Sequence, residues 1–296
     1  MTNQITVRVP ASTSNLGPGF DCLGVALRIY NSITIRRTED RDGSAARSTG
    51  LDHEKIVTDA ADLFFQRTKR SRFKFSCSAK ERIPRCRGLG SSATIRLGIV
   101  HGLNQLAGEP LDRFAIFQLC AKLEHHPDNA APASFGGFTV ARGENVQRFS
   151  VASRLKFVLL IPDFEIQTAK ARQILPSKLS RIGAVQSAGN AAAVSAAFAS
   201  KKYERLRGVF ADKLHQPFRA KLIPFLPRVI SAAENAGALG AFLSGSGSTI
   251  CAVTVHDPKK VATAMKRAAN PKCEIVITTA DNQGVQTRPS SLLTRR

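Results

Sequence analysis

Hydrophobic and polar residues alternate at the start of the chain, where Ile5, Val7 and Val9 are separated by polar side chains. A period of two is typical of a strand with one buried face, and Pro10 is predicted to end this strand because proline has no backbone donor. The same pattern predicts two further strands, over residues 25–35 and 72–78.

Apolar residues recur with helical spacing in the segments between and after these strands. Ser91 or Ser92 is predicted to cap a helix that carries Ile95, Ile99 and Leu103 on one stripe. Asp112 is predicted to cap the helix that follows it. Two more helices are predicted, one beginning near residue 56 and one over residues 183–199.

The pattern changes near residue 150, where a continuous apolar run, KFVLLIP (156–162), predicts a fully buried strand. Further on, GALGAFLSGSGSTICAVTV predicts a strand, a glycine-rich turn and a second strand, as in a hairpin. A chain of 296 residues favours two domains over one. We therefore predict one domain over residues 1–155 and a second over 156–296.

Composition indicates a globular protein, with 43% hydrophobic and 22% charged residues. No apolar run approaches the roughly 20 residues that a membrane helix needs, so no membrane association is predicted. The first ten residues lack the pattern of a secretory signal, and we expect a cytoplasmic protein. The six cysteines match no zinc or redox spacing and are interpreted as small buried hydrophobic residues.

The charge is strongly basic, since 43 Lys and Arg stand against 22 Asp and Glu, for a formal net charge of +21. Nine of the basic residues lie between Arg67 and Arg87, with Glu81 as the one acidic residue among them. Phe73 and Phe75 alternate with cations in this basic stripe, which favours a half-buried strand with a solvated face. Aromatic rings between cations also bind single-stranded nucleic acid, so that function stays open as an alternative, through this surface only.

A glycine-containing loop, PRCRGLGSSAT (84–94), precedes the second predicted helix. Gly88 and Gly90 allow backbone N–H groups to converge on an anion, at the positive end of the helix dipole. Ser91 and Ser92 stand where a Walker A loop would carry its lysine. Considered alone, the loop is either a phosphate-binding loop or an ordinary tight turn.

Three other segments decide between these alternatives: VPASTSNLGPGFDCLG (9–24), HPDNAAPASFGG (126–137) and QTAKARQILP (167–176). With the glycine loop and LSGSGST (243–249), they resemble the ordered motifs of the GHMP kinase superfamily, along nearly the whole chain. The resemblance is closest to the members that phosphorylate the hydroxyl group of L-homoserine. It implies an α+β fold with a ribosomal-protein-like N-terminal domain, which contains a left-handed β-α-β unit, and a ferredoxin-like C-terminal domain.

The resemblance also implies a set of site residues. The phosphate loop for ATP comprises Pro84, Arg85, Cys86, Arg87, Gly88, Leu89, Gly90, Ser91, Ser92, Ala93 and Thr94. The homoserine pocket comprises Asn15, Asp21, Asp128, Asn129, Thr168, Arg172, Arg219 and Gly245. The chemistry of these side chains suits an amino acid, because two arginines can bind a carboxylate while Asp21 and Asn15 hold an ammonium.

Catalysis and metal binding are expected from four residues. Either Asp128 or Asn129 orients the attacking hydroxyl, a choice that the sequence leaves open, and Ser92 lies beside the triphosphate and its Mg²⁺. Gln118 stands ten residues before Asp128, where the resemblance implies a magnesium-binding glutamate. An amide oxygen can ligate magnesium but contributes no charge, so a weakened metal site is expected.

The expected activity is ATP-dependent phosphorylation of L-homoserine to O-phospho-L-homoserine, a step toward threonine, by a homodimer. Two alternatives remain. One is another small-molecule kinase of the superfamily, such as a mevalonate-type kinase. The other is a non-catalytic member that binds nucleic acid through the basic stripe.

Overall fold

The computed structural model describes residues 3–38, 47–48, 54–143, 145–269 and 272–289. The strands are β1 (Gln4–Ser14), β2 (Leu23–Arg37), β3 (Arg47–Ser48), β4 (Phe75–Lys80), β5 (Phe138–Arg142), β6 (Asn145–Phe149), β7 (Lys156–Pro162), β8 (Gly240–Leu243), β9 (Ile250–Thr254), β10 (Cys273–Thr278) and β11 (Gln286–Pro289). The helices are α1 (Glu54–Thr68), α2 (Ser91–Leu106), α3 (Arg113–Glu124), α4 (Ala130–Phe135), α5 (Thr168–Gln173), α6 (Arg181–Ser200), α7 (Gln216–Arg219), α8 (Leu226–Asn235) and α9 (Pro258–Ala268).

The first sheet has the strand order β11-β1-β2-β4-β3, and β5 and β6 extend it beside the start of β2. The predicted end of the first strand at Pro10 is wrong, because β1 continues to Ser14. The pairing with β2 shifts register between Pro10 and Ala11, and this irregularity accommodates a residue that has no backbone N–H. The extension carries the polar residues after Pro10 into the site described below.

Helix α2 packs against β1 and β2 and presents the predicted stripe of Ile95, Ile99 and Leu103 to the core. Its predicted cap is wrong: Gly90 is the N-cap, in a left-handed conformation with φ 71°, and no side chain caps the helix. The prediction for Asp112 is confirmed, since its carboxylate accepts a hydrogen bond from the backbone N–H of Ala115 at 2.7 Å.

The second sheet is antiparallel, in the order β10-β7-β9-β8, and β7 has the predicted bounds. Strands β8 and β9 form the predicted hairpin around the glycine-rich turn. After β10 the chain returns to the first sheet, where β11 pairs with β1. The domain boundary predicted at residue 155 falls between β6 and β7. That boundary assigns β11 to the second domain, although β11 pairs with β1 in the first sheet.

The structure shows where the aromatic residues of the basic stripe and the exposed cysteine lie. Phe75 is buried and Phe73 packs edge-on against Phe65, so the rings of the basic stripe face the core. Cys86 is exposed, which corrects the prediction that all six cysteines are buried. Across the described ranges, no helix combines the length and hydrophobicity that crossing a bilayer requires.

Candidate active site

One cleft lies between the two sheets and is lined by loops and helix ends from both halves of the chain. It brings together every predicted homoserine-pocket residue and the centre of the predicted phosphate loop. The lining residues are Ser14, Asn15, Asp21, Cys86, Arg87, Gly88, Leu89, Gly90, Ser91, Ser92, Glu124, His126, Asp128, Asn129, Thr168, Arg172, Arg219, Gly245 and Ser246.

The glycine loop forms the wall of the cleft at the N-terminus of α2. Gly88 and Gly90 both have positive φ angles, 72° and 71°, which favour glycine. A Cβ atom on Gly88 would lie 2.0 Å from the carbonyl oxygen of Ser244, so the loop passes too close to the β8–β9 turn for a side chain. The backbone N–H groups at the start of a 16-residue helix thus border the cleft, an arrangement suited to phosphate.

The ends of the predicted phosphate loop lie outside the cleft. Pro84 and Arg85 are not among its lining residues, and the Arg85 guanidinium bonds the Glu81 carboxylate. Ala93 and Thr94 are completely buried within α2, and the Thr94 hydroxyl accepts a hydrogen bond from the amide of Asn31 at 2.9 Å. Of the predicted phosphate loop, the seven residues from Cys86 to Ser92 therefore line the cleft.

A serine and a glutamate meet where the phosphate loop enters α2. The Ser92 hydroxyl lies 2.7 and 2.8 Å from the two carboxylate oxygens of Glu124, the last residue of α3. A hydroxyl and a carboxylate are hard oxygen donors, the kind that Mg²⁺ prefers, and both face the cleft. This pair fits a magnesium ion next to the wall that the glycine loop forms.

The prediction that Gln118 ligates magnesium is wrong. Gln118 lies almost two helical turns before Glu124 on α3 and borders a separate surface groove with Leu63 and Arg67 of α1. Counting ten residues back from Asp128 reached the wrong turn of α3, because only the end of this helix reaches the cleft. Glu124, four residues before Asp128, supplies the carboxylate that the sequence analysis missed.

The adjacent Asp128 and Asn129 have different surroundings. The amide of Asn129 is held on both sides: its oxygen accepts from Ser12 at 2.8 Å and its nitrogen donates to Ser14 at 3.1 Å. Among the described residues, the Asp128 carboxylate has one hydrogen-bond partner, Nδ1 of His126 at 2.5 Å. The second carboxylate oxygen of Asp128 is therefore the acceptor that remains available for a ligand.

His126 gives this carboxylate a partner. Burial lowers the pKa of His126, but the hydrogen bond and charge of Asp128, with Glu124 and Asp21 nearby, outweigh it and raise the pKa overall. Ligand atoms of Asp21, His126 and Asp128 lie within 4.8 Å of one another. The floor of the cleft therefore concentrates acidic groups opposite the phosphate loop.

Two arginines with different environments stand beside Asp21. Arg172 forms a two-bond ion pair with the Asp21 carboxylate, at 2.7 and 3.0 Å, and both side chains are about one-third exposed. Arg219 is buried and donates to the carbonyl oxygens of Gly245 at 2.9 Å and Ala171 at 3.2 Å. Burial and the nearby charge of Arg172 lower the pKa of Arg219 to about 10.

The pocket around these charges is completed by the N-terminal loop. Asn15 donates to the carbonyl oxygen of Gly245 at 3.1 Å and accepts from the backbone N–H of Asp21 at 3.0 Å. The ring of Phe20 lies below both guanidinium groups, 5.4 Å from Arg172 and 5.3 Å from Arg219. Paired positive and negative groups above an aromatic ring suit a zwitterionic ligand, whose own charges can take over the pairing.

Comparison with known proteins agrees with this architecture. The GHMP kinase N-terminal domain matches residues 55–137, and the C-terminal domain matches residues 186–272. The structure superposes on that of homoserine kinase from Cytophaga hutchinsonii with a TM-score of 0.88 at 28% identity, covering 97% of this chain and 98% of the other. The chain therefore belongs to the GHMP kinases.

Similar proteins of known name indicate which family of GHMP kinases the chain belongs to. Homoserine kinase from Microchaete diplosiphon is 38% identical over 96% of this chain and 97% of its own length. Homoserine kinase from Caldicellulosiruptor bescii is 37% identical over 95% of each chain. Within the GHMP kinases, this chain is a member of the homoserine kinase family.

Proposed function

We propose that this protein transfers the γ-phosphoryl group of ATP to the side-chain hydroxyl of L-homoserine. The observation that carries the proposal is the grouping of Asp21, Arg172 and Arg219 in one cleft with the Gly88–Ser92 loop. The charged groups match the ammonium and carboxylate of an amino acid, and the loop matches a triphosphate. The family's homoserine kinases support the same substrate.

Homoserine enters a pocket whose charges already neutralise each other. In the free protein, Asp21 is bound to Arg172. The substrate ammonium takes the Asp21 carboxylate as its partner, while the substrate carboxylate binds Arg172 and Arg219. Thr168, which approaches Ser246 at 3.5 Å, adds hydroxyl donors at the rim of the pocket.

Asp128 is the residue that orients the attacking hydroxyl. Its free carboxylate oxygen faces the cleft, whereas the Asn129 amide is engaged by two serines and holds the chain in place. Phosphoryl transfer depends mainly on positioning and on neutralising charge, so a hydrogen bond from the hydroxyl to Asp128 is sufficient. His126 keeps that carboxylate aimed at the substrate.

Ser92 and Glu124 would hold the Mg²⁺ that accompanies ATP. When bound, the cation supplies positive charge against the phosphoryl oxygens that become more negative during transfer. The loop and α2 place the triphosphate next to this pair. Gly88 and Gly90 keep the wall free of side chains, so the backbone donors can approach the phosphates closely.

The test is a coupled ADP-release assay with homoserine, mevalonate and galactose offered separately under identical conditions. Homoserine should be turned over, and the other two alcohols should not, because neither offers an ammonium to Asp21. Preference for mevalonate would favour the isoprenoid-alcohol alternative. A nucleic-acid role has no comparable support, since Phe73 and Phe75 pack against the core.

The expected homodimer has a candidate contact surface on α6. Ile182 and Val185 are 80% and 67% exposed, and Gly189, Ala192 and Ala196 continue the same apolar stripe. An antiparallel second copy would place Val185 opposite Ala196 and would bring Gly189 opposite Ala192, where two small residues let the helices approach closely. We expect Val185→Glu to convert a dimer to a monomer in sedimentation analysis, and an unchanged mass would exclude this surface.

A further inference from the structure

An arginine lies directly against the carboxylate that is proposed to bind magnesium. Arg96 is on the second turn of α2, four residues after Ser92, and its Nη1 donates to Oε1 of Glu124. The two side chains are only 15% and 8% exposed. Within the described ranges, the Arg96 Nε is a buried donor with no hydrogen-bond partner.

This arrangement puts a fixed positive charge beside a site for a positive ion. The Glu124 carboxylate is shared between the Ser92 hydroxyl and the Arg96 guanidinium. A divalent cation that binds Glu124 therefore meets a carboxylate whose charge is already compensated, and it is also repelled by the guanidinium. Both effects reduce the affinity for metal, and partial burial makes them stronger than they would be in water.

The unpartnered Nε indicates that Arg96 is not held here by good hydrogen bonding alone. A buried donor without an acceptor costs free energy, and within the described part of the chain Glu124 is the one hydrogen-bond partner of the Arg96 side chain. The chief consequence of the arginine in this position is therefore electrostatic, on Glu124 and on whatever Glu124 binds.

We propose that Arg96 is a positioning residue that holds the Glu124 carboxylate, weakens divalent-cation binding there and makes nucleotide binding less dependent on metal. This inference rests on the proposed function, in which Ser92 and Glu124 face the ATP phosphates. Without metal, Arg96 prevents the Glu124 carboxylate from repelling the triphosphate. With metal bound, Arg96 reduces part of the increase in nucleotide affinity that the cation provides.

The experiment measures how strongly Mg²⁺ and nucleotide promote each other's binding. Isothermal titration calorimetry gives the Kd of a non-hydrolysable ATP analogue in EDTA and in excess MgCl₂, and the ratio of these Kd values is the metal coupling. Arg96→Met should raise this ratio about tenfold, since the neutral side chain leaves Glu124 uncompensated. Arg267→Met, which removes an exposed charge on α9, is the matched control and should leave the ratio unchanged.

A second variant and a second measurement guard against misfolding. Arg96→Gln keeps a hydrogen-bond donor for Glu124 but removes the charge, and it should also raise the ratio. Without nucleotide, MgCl₂ should increase the Tm of either variant more than it increases the Tm of the wild type. Arg96→Lys, which retains the charge, should resemble the wild type.

Failure of the proposed function and failure of the inference about Arg96 give different results. Wild-type protein that binds no ATP analogue under either condition would overturn the proposed function and this inference with it. Wild-type protein that binds the analogue, with equal coupling in Arg96→Met and Arg96→Gln, would overturn the inference alone. Equal increases in Arg96→Met and Arg267→Met would show a general charge effect and would also reject it.

Discussion

Replacing Arg172 with alanine tests the assignment of the homoserine carboxylate. In the free protein this arginine makes two charge-assisted hydrogen bonds to Asp21, at 2.7 and 3.0 Å. In the proposed complex it contacts the substrate carboxylate beside the buried Arg219. Arg172→Ala removes one of the two cations that face that carboxylate, and it also releases Asp21 from its ion pair.

The structure limits the size of the effect. A hydrogen bond to a charged group contributes about 1.5–3 kcal/mol, and the one-third exposure of Arg172 reduces this to about 1–2 kcal/mol. The KM for homoserine should therefore rise roughly 5- to 30-fold, while the KM for ATP stays the same. Lys170→Ala is the matched control, because Lys170 is exposed on the same helix.

A substrate analogue that lacks the carboxylate tests whether Arg172 binds that group. The amino alcohol in which hydrogen replaces the homoserine carboxylate keeps the ammonium and the hydroxyl. Since Arg172→Ala frees Asp21 for that ammonium, the KM for the analogue should fall or stay constant, whereas the KM for homoserine rises. Initial rates from ADP release give both values. A parallel increase for both substrates would show that Arg172 does not bind the carboxylate, and the reasoning would fail.

Three further outcomes are expected. Gln118→Glu should leave the half-saturating Mg²⁺ concentration unchanged, because residue 118 lies in a different groove. Glu124→Gln should raise that concentration about tenfold or more, because it removes a carboxylate beside Ser92. Titration of the initial rate against Mg²⁺ measures both effects. ATP should slow maleimide labelling of Cys86, the exposed cysteine of the phosphate loop, in peptide mass spectra, and equal labelling rates would place the nucleotide elsewhere. Burial lowers the pKa of His215 to about 4, so the unfolded chain binds more protons than the folded one between this value and 6.5. His215 should therefore contribute a decrease in the free energy of unfolding as the pH falls through that window, and denaturant unfolding of His215→Gln should show a smaller decrease than that of the wild type.

Local patterns along the chain predicted several strands and the longer helices α1, α2, α3 and α6, because burial imposes a period on the sequence. The apolar run of β7, the hairpin of β8 and β9 and the Asp112 cap all follow from neighbouring residues. The extension of β1 past Pro10 depends instead on the partner strand, whose shifted register tolerates the missing donor. The return of β11 to β1 joins residues 278 to 284 positions apart, and no local signal specifies it.

In the candidate site, too, local motifs predicted some residues, whereas others depend on contacts between distant parts of the chain. Motif resemblance located Asp21, Arg172 and Arg219, and the cleft contains all three. It failed at Glu124, because a count along α3 does not reveal which turn of the helix meets Ser92. The position of α3 against α2 decides that contact, and it depends on packing between the two helices.

The pocket proposed to bind the amino acid is already assembled in the free protein, and one backbone carbonyl holds two parts of it together. The Gly245 oxygen accepts from Asn15 at 3.1 Å and from Arg219 at 2.9 Å, so the N-terminal loop and the second half of the chain are tied at a single atom. His215 adds a second link, with its Nε2 2.8 Å from the carbonyl oxygen of Gly17 and its Nδ1 3.3 Å from Arg219. Because burial keeps this imidazole neutral, it can donate to Gly17 while it accepts from Arg219. Arg219 is thus fixed from two sides, whereas Arg172 is paired with the Asp21 carboxylate above the Phe20 ring. Under the proposed function, homoserine would reorganise one ion pair rather than build a pocket.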